Sequence, residues 1–230
     1  MKPLFIHRIS CHHSRSDADE KSLRAALKTA HGYDGRRLSR FTLNALAAAL
    51  PLTLPPDSGV YLGASFSSPA KFDNMLATIA EGGTPKPFDF IGNIHNAACF
   101  QTAQALGLHG PSVFLPLAAA PQQWPQPLLA AWLDIRQSST STALVGWCSE
   151  ESSSQAQAEG CCWLVLSAQQ HPDSLAALTL RPSENRRSVS DGLNGASVYQ
   201  AACGLAERIQ AGKSTVLTAA LGRDFVIEAV

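Results

Sequence analysis

The sequence predicts an α/β protein, and three observations carry that reading. Short runs rich in β-branched and aromatic residues (Gly59 to Ala64, Ala143 to Cys148, Gly160 to Ser167) alternate with longer segments whose apolar residues return at helical spacing. Proline and glycine punctuate the joins, as at Pro51, Gly82-Gly83 and Gly107. The chain has 230 residues, 45% of them apolar, which is long and apolar enough for a sheet covered by helices. That length suits one large domain or two small ones.

Taken in order, Pro3 to Ile9 reads as a short strand with Phe5 and Ile9 on one side. The next thirty or so residues are polar and read as a loop with a helical piece at Lys21–Thr29. Arg36 to Leu50 reads as a helix, because Leu38, Phe41, Leu46 and Leu50 share a face and Pro51 stops it. A buried strand, Gly59 to Ala64, is followed by a helix from about Pro69 to Ala80. Pro85 and Pro87 open an aromatic turn containing Phe88, Phe90 and Ile91, and a helix of small residues runs from Asn96 to Leu106. Gly110-Pro111-Ser112 breaks into a strand from Val113 to Leu117, and Trp124 to Arg136 is the next helix. Strands at Ala143–Cys148 and Gly160–Ser167 flank a hydrophilic loop. Beyond it, Ser174–Leu180 reads as a strand, 184–195 as a polar loop and Ser197–Gln210 as a helix stopped near Gly212. Ser214–Ala220 and Asp224–Val230 read as two closing strands.

Charge narrows the function classes. The formal net charge is zero and the pI is near 7, which speaks against nucleic-acid binding and against an anionic membrane surface. Only 16% of residues are charged, so either much of the surface meets another protein or Ser, Thr and Gln supply its polarity. Residues 1–10 are too short and too broken by Lys2, His7 and Arg8 for a signal peptide, and no run reaches the roughly 18 apolar residues of a spanning helix. A cytoplasmic protein is expected. The six cysteines (Cys11, Cys99, Cys148, Cys161, Cys162 and Cys203) form no CxxC pair and read as reduced, buried thiols.

The stretch Phe88 to Ala120, FDFIGNIHNAACFQTAQALGLHGPSVFLPLAAA, resembles the nucleophile region of the β-ketoacyl synthases of the thiolase superfamily. In that family an N-rich turn and a small-residue helix precede a Gly-Pro turn and a strand. The strand delivers a cysteine to a helix N-terminus, where the dipole and free N–H groups favour the thiolate. Arg-Leu-Ser-Arg (37–40) resembles an early ketosynthase helix, and the strand–helix order through residue 168 is that of one half of the thiolase fold. The resemblance therefore implies a thiolase-like fold: one complete βαβαβαββ half over 1–168 and a truncated second half over 169–230, packed on the same domain.

The family's catalytic groups have no counterpart. Counting from Gly110-Pro111, the cysteine falls at about Ala119, and no Cys occurs between Cys99 and Cys148. The His-Gly-Thr and Gly-Phe-Gly-Gly-His motifs are missing, and His171 is the one histidine after His109. Decarboxylative condensation needs an acyl-bearing thiolate and donors for the developing enolate and oxyanion. Without them the chain is expected not to be an independent enzyme. Cys99 lies mid-helix and reads as a packing thiol. Cys11, His12, His13 and His7 carry metal-ligand chemistry but no distant ligand pair, so no metal or other cofactor is expected. Cys161 and Cys162 are vicinal in a strand and face opposite sides.

Ketosynthase relatives without the cysteine pair with an active ketosynthase and are called chain length factors; short bacterial versions from aryl polyene gene clusters resemble this chain in length and in the HNAA turn. The resemblance implies a heterodimer that handles acyl chains on an acyl carrier protein. By position it places Phe88, Phe90, Ile91, Asn93 and Ile94 against the partner's acyl tunnel. It places Ser112, Val113, Phe114, Leu115 and Leu117 in the strand that pairs across the dimer, and it gives Asn96, Gly110 and Pro111 the structural turn. Two other readings stay open: a stand-alone acyl-transfer or thioester-hydrolase enzyme with a Ser or Cys nucleophile beside a His, and a scaffold that stabilises the ketosynthase without touching substrate.

Overall fold

Gly59–Ala64 forms strand β2 with no exposed residue, and a single mixed sheet grows from it. The computed structural model describes residues 2–15, 18–117, 123–150, 159–183, 197–219 and 222–230. In chain order the elements are β1 (Leu4–Ser14), α1 (Glu20–His31), α2 (Arg40–Ala49), β2, α3 (Pro69–Ala80), α4 (Pro87–Gly92), α5 (Ala97–Leu106), β3 (Ser112–Pro116), α6 (Gln126–Arg136), β4 (Thr142–Ser149), β5 (Glu159–Ser167), β6 (Ala176–Pro182), α7 (Val198–Gln210), β7 (Thr215–Thr218) and β8 (Arg223–Ala229). The sheet order is β3-β2-β4-β5-β1-β6-β8-β7. β2 is parallel to β3 and β4, and the pairs from β4 to β7 are antiparallel.

Helices cover both faces. One core joins the sheet to α6 and α7 around Tyr61, Trp147, Leu164 and Tyr199. The other joins it to α2 and α5 around Phe41, Leu62, Cys99 and Trp163, and α1 closes over α2 through Leu23, Leu27, Leu43 and Leu46. Two of the buried indoles are anchored to backbone: Trp147 donates to the Trp124 carbonyl at 2.6 Å and Trp163 to the Ala45 carbonyl at 2.9 Å. Gly146 makes room for Trp163, whose ring would lie 2.2 Å from a Cβ placed there. Residues 169–230 extend the same sheet beyond β1 through β6, β8 and β7, and α7 packs across β4 and β5.

Three readings of the sequence need correction. The aromatic turn at 87–92 is a short helix, opened by Pro87 at its first position. The first strand continues through His12 and His13 to Ser14, because β5 pairs it over that whole length and satisfies backbone groups that its polar side chains conceal in the sequence. The thiols are not all separate: Cys11 on β1 and Cys162, its register partner on β5, are joined as a disulfide. Cys161 and Cys162 do face opposite sides, each buried in a different core. Of the hydrophilic loop read over Ser149–Glu159, Ser149 ends β4 and Glu159 opens β5, and 151–158 lie outside the described residues, as does the polar loop read over 184–195.

Candidate partner interface

The sheet ends at β3, which among the described residues pairs with β2 alone. Val60 N–H donates to the Pro111 carbonyl at 2.7 Å and Leu117 N–H to the Ala64 carbonyl at 2.8 Å. Backbone groups alternate along a strand, so 111, 113, 115 and 117 bond inward while Ser112 and Phe114 turn theirs outward. Ser112 to Leu115 are half-buried, whereas Leu117 lies past the strand in the chain's own core, 2% exposed. The turn before β3 is fixed by Gly110, where a Cβ would lie 2.5 Å from the Ser58 carbonyl oxygen. Asn96 stands at the N-cap of α5 without capping it; its amide donates instead to the Ser112 carbonyl at 3.3 Å.

The segments ahead of this edge leave several apolar side chains exposed. Phe90 on α4 is 58% exposed, Ile91 56% and Ile94 57%. Leu76 and Ile79 on α3 and Phe100 on α5 are also exposed. Asn93 is half-buried, and the side chain of Phe88 lies outside the described residues. The patch is tied to the edge strand through His95. Its ring stacks on Phe114 (5.5 Å between centroids, 13° between planes), and its Nδ1 meets the Ser67 hydroxyl at 2.9 Å. Phe66 packs edge-on against both His95 and Phe72. Exposed large apolar residues close together in the chain are uncommon on a soluble surface and make this segment a candidate for contact with another molecule.

Nucleophile chemistry finds little support here. Ala119 lies outside the described residues. Cys99 is fully buried in α5, its thiol donates to the Val113 carbonyl at 3.3 Å, and burial pushes its pKa up to about 12. His7 has both ring nitrogens on serine hydroxyls, Ser167 at 2.8 Å and Ser174 at 3.1 Å, so it pins the turn after β5 to β1. The amino-terminal metal candidates do not converge: His7 serves those serines, and His13 Nδ1 lies 2.5 Å from the Tyr199 hydroxyl. Cys11 turns to Cys162 and Cys203, whose three sulfur atoms lie within 4.8 Å of one another. Cys203 comes from α7, and nothing in the spacing of the cysteines signals this gathering.

A second buried group escaped the sequence reading. The Glu150 carboxylate accepts from Phe41 N–H at 2.7 Å and from Ala70 N–H at 3.4 Å, within the first turns of α2 and α3. Burial drives its pKa up to about 7, against the two backbone donors. Next to it Arg40 closes an ion pair of 2.5 Å on Glu159, which is fully buried. This carboxylate pair positions the two helices that lead to the apolar patch.

No family model matches the sequence and no curated protein matches it. Solved structures do resemble it in fold. The ishigamide ketosynthase/chain length factor superposes with a TM-score of 0.57 at 20% identity, covering 81% of this chain and 59% of its own. A chain of the ketosynthase ApeO in complex with its chain length factor ApeC, from Xenorhabdus doucetiae, gives 0.62 at 14% identity and covers 98% of this chain and 99% of its own. A chain of AntDE:AntF, a type II polyketide synthase acyl-carrier protein in complex with its ketosynthase bound to the hexaketide, gives 0.66 at 13% identity and covers 100% and 99%. This chain thus spans about three fifths of the first and nearly the whole of the other two. No helix among the described residues is long and apolar enough to cross a membrane. The chain has the thiolase-like fold of ketosynthases and chain length factors, the fold that the Phe88–Ala120 stretch led one to expect.

Proposed function

We propose that this protein is a chain length factor, a non-catalytic ketosynthase-like subunit. It pairs through β3 with an active β-ketoacyl-acyl carrier protein synthase and helps shape that enzyme's acyl tunnel. The observation that carries the reading is an edge strand, Ser112 to Leu115, that pairs with β2 alone among the described residues, together with exposed Phe90, Ile91 and Ile94 just ahead of His95, whose ring stacks on Phe114 of that strand. An edge strand offers backbone groups for pairing, and exposed apolar side chains are the kind of surface that obligate interfaces of roughly 2,000 Å² or more bury. A full-length match to a chain from a ketosynthase–chain length factor complex points the same way. On this reading the acyl carrier protein and the growing chain are met only through the complex, in fatty acid or polyketide synthesis of the aryl polyene type, in the cytoplasm.

The mechanism is steric. The partner holds the acyl chain on its own cysteine. This chain contributes Phe88, Phe90, Ile91, Asn93 and Ile94 to the far wall of the tunnel. Each methylene that a growing chain buries contributes about 0.8 kcal/mol, and a ring in its path reverses that gain, so a wall of phenylalanines sets length sharply. The Phe90→Ala variant, tested in the reconstituted complex, lengthens or broadens the products read by mass spectrometry. An unchanged product profile with the complex intact removes Phe90 from that role and favours the scaffold reading.

A further inference from the structure

Three sulfur atoms from three elements meet on the α7 face of the sheet, well away from β3. Cys162 on β5 is fully buried, whereas Cys11 on β1 and Cys203 on α7 are half-buried, and the three lie within 4.8 Å of one another. Cys11 and Cys162 are directly opposed in the antiparallel register and joined as a disulfide. Cys162 is closed to a dissolved reagent, so an oxidant meets the trio at half-buried Cys11 or Cys203, and Cys203 is the sulfur left over when the register pairs Cys11 with Cys162. In the reduced trio the Cys11 and Cys162 thiols hydrogen-bond to Cys203 and, against its burial, hold its pKa below the ordinary thiol range, with His13 adding favourable charge. The Tyr199 hydroxyl donates to the His12 carbonyl at 3.0 Å.

We propose that Cys203 is a modification site for small-molecule disulfides of the glutathione class and relays their oxidation to Cys11 and Cys162. Starting from the reduced trio, the Cys203 thiolate attacks one sulfur of the small disulfide and expels the other half as a thiolate, leaving a mixed disulfide on Cys203. The Cys11 thiolate then attacks the Cys203 sulfur, expels the second small thiol and forms a Cys11–Cys203 bond. Finally the Cys162 thiolate attacks Cys11, and Cys203 leaves as a thiolate. The small disulfide gains two electrons, the Cys11–Cys162 pair loses two, and the protons of those two thiols end on the two released small thiols. The completed bond ties β1 to β5 beneath α7. The relay stands independently of any partner at β3.

The test is a time course of the reduced full-length chain with oxidised glutathione, quenched by alkylation and mapped by peptide mass spectrometry. The wild type passes through a glutathione adduct on Cys203 and ends with Cys11 bonded to Cys162. Cys203→Ser reaches the same bond at least tenfold more slowly. Cys162→Ser stops at glutathionylated Cys203 or at a Cys11–Cys203 bond. Cys203→Ala, run beside Cys203→Ser, must reproduce the slowing, and native circular dichroism establishes that both variants are folded. Unchanged kinetics in folded Cys203 variants, a first adduct on Cys11, or no Cys11–Cys162 bond in the wild type overturns the proposal.

Discussion

The two edges of the sheet are built differently. β7 is four residues long, and the Arg208 side chain braces it, reaching the Thr215 hydroxyl at 2.8 Å and the Ser214 carbonyl at 3.2 Å. Its neighbour β8 carries an exposed Arg181–Glu228 pair with β6 at 3.4 Å. Short length and charge at the rim are how a sheet edge avoids pairing with a stranger. β3 is also short, at five residues, and ends on Pro116, but it carries no charged side chain. Its middle residues are Val113, Phe114 and Leu115, and Asn96 covers the Ser112 carbonyl. The segment leading to His95, whose ring stacks on Phe114, leaves Phe90, Ile91 and Ile94 exposed. The two edges thus differ in the character of what surrounds them, charged at one and apolar at the other, and the proposed function puts the partner at the apolar one.

The largest expected effect comes from charging the open edge. Phe90→Asp combined with Ile94→Asp alters exposed positions, so the fold survives, while co-purification with the partner ketosynthase falls on the order of a hundredfold, each lost apolar anchor being worth about 1.5 kcal/mol or more. Val216→Asp, at an exposed apolar position on β7, leaves capture unchanged. Equal losses at both edges break the comparison. Next, Gly110→Ala drives a methyl toward the Ser58 carbonyl and costs on the order of 2 kcal/mol, visible as a lower midpoint in urea unfolding with little change in slope. A wild-type midpoint contradicts the role assigned to that turn.

A smaller effect comes from Glu150, whose pKa in the folded protein, about 7, lies above the ordinary carboxylate value. The folded state therefore binds this proton more tightly than the unfolded chain does. The stabilisation is fully present below the unfolded pKa, near 4.5, and is lost as pH rises through about 7. Comparing thermal unfolding of the wild type with Glu150→Gln across this window, the wild type loses on the order of 2 kcal/mol that the variant does not. Parallel pH profiles contradict the assignment.

Strong local punctuation is what made elements legible. β2 and α3 lie where Gly59, Ser68-Pro69 and Gly82 place them, and Ser197 with Gln200 forms a capping box at the start of α7. The six-residue α4 was not legible, because a single helical turn between Pro87 and Gly92 carries no periodic signal. The far half of β1 was hidden by His12, His13 and Ser14, whose polarity says loop while β5 says strand. The family resemblance singled out Phe90, Ile91 and Ile94 for the partner's tunnel, and the structure adds only that they are exposed. Cys203 and Glu150 were not reachable at all, since each acquires its chemistry only when elements far apart in the chain pack together.

The central claim is that β3 and its apolar surround are one half of an interface. The direct test is co-expression of the full chain with an active ketosynthase from the same gene neighbourhood, followed by affinity capture and size exclusion with light scattering. The account predicts a stable one-to-one complex and poor solubility of the chain alone. A well-behaved monomer or homodimer that ignores the ketosynthase would contradict it.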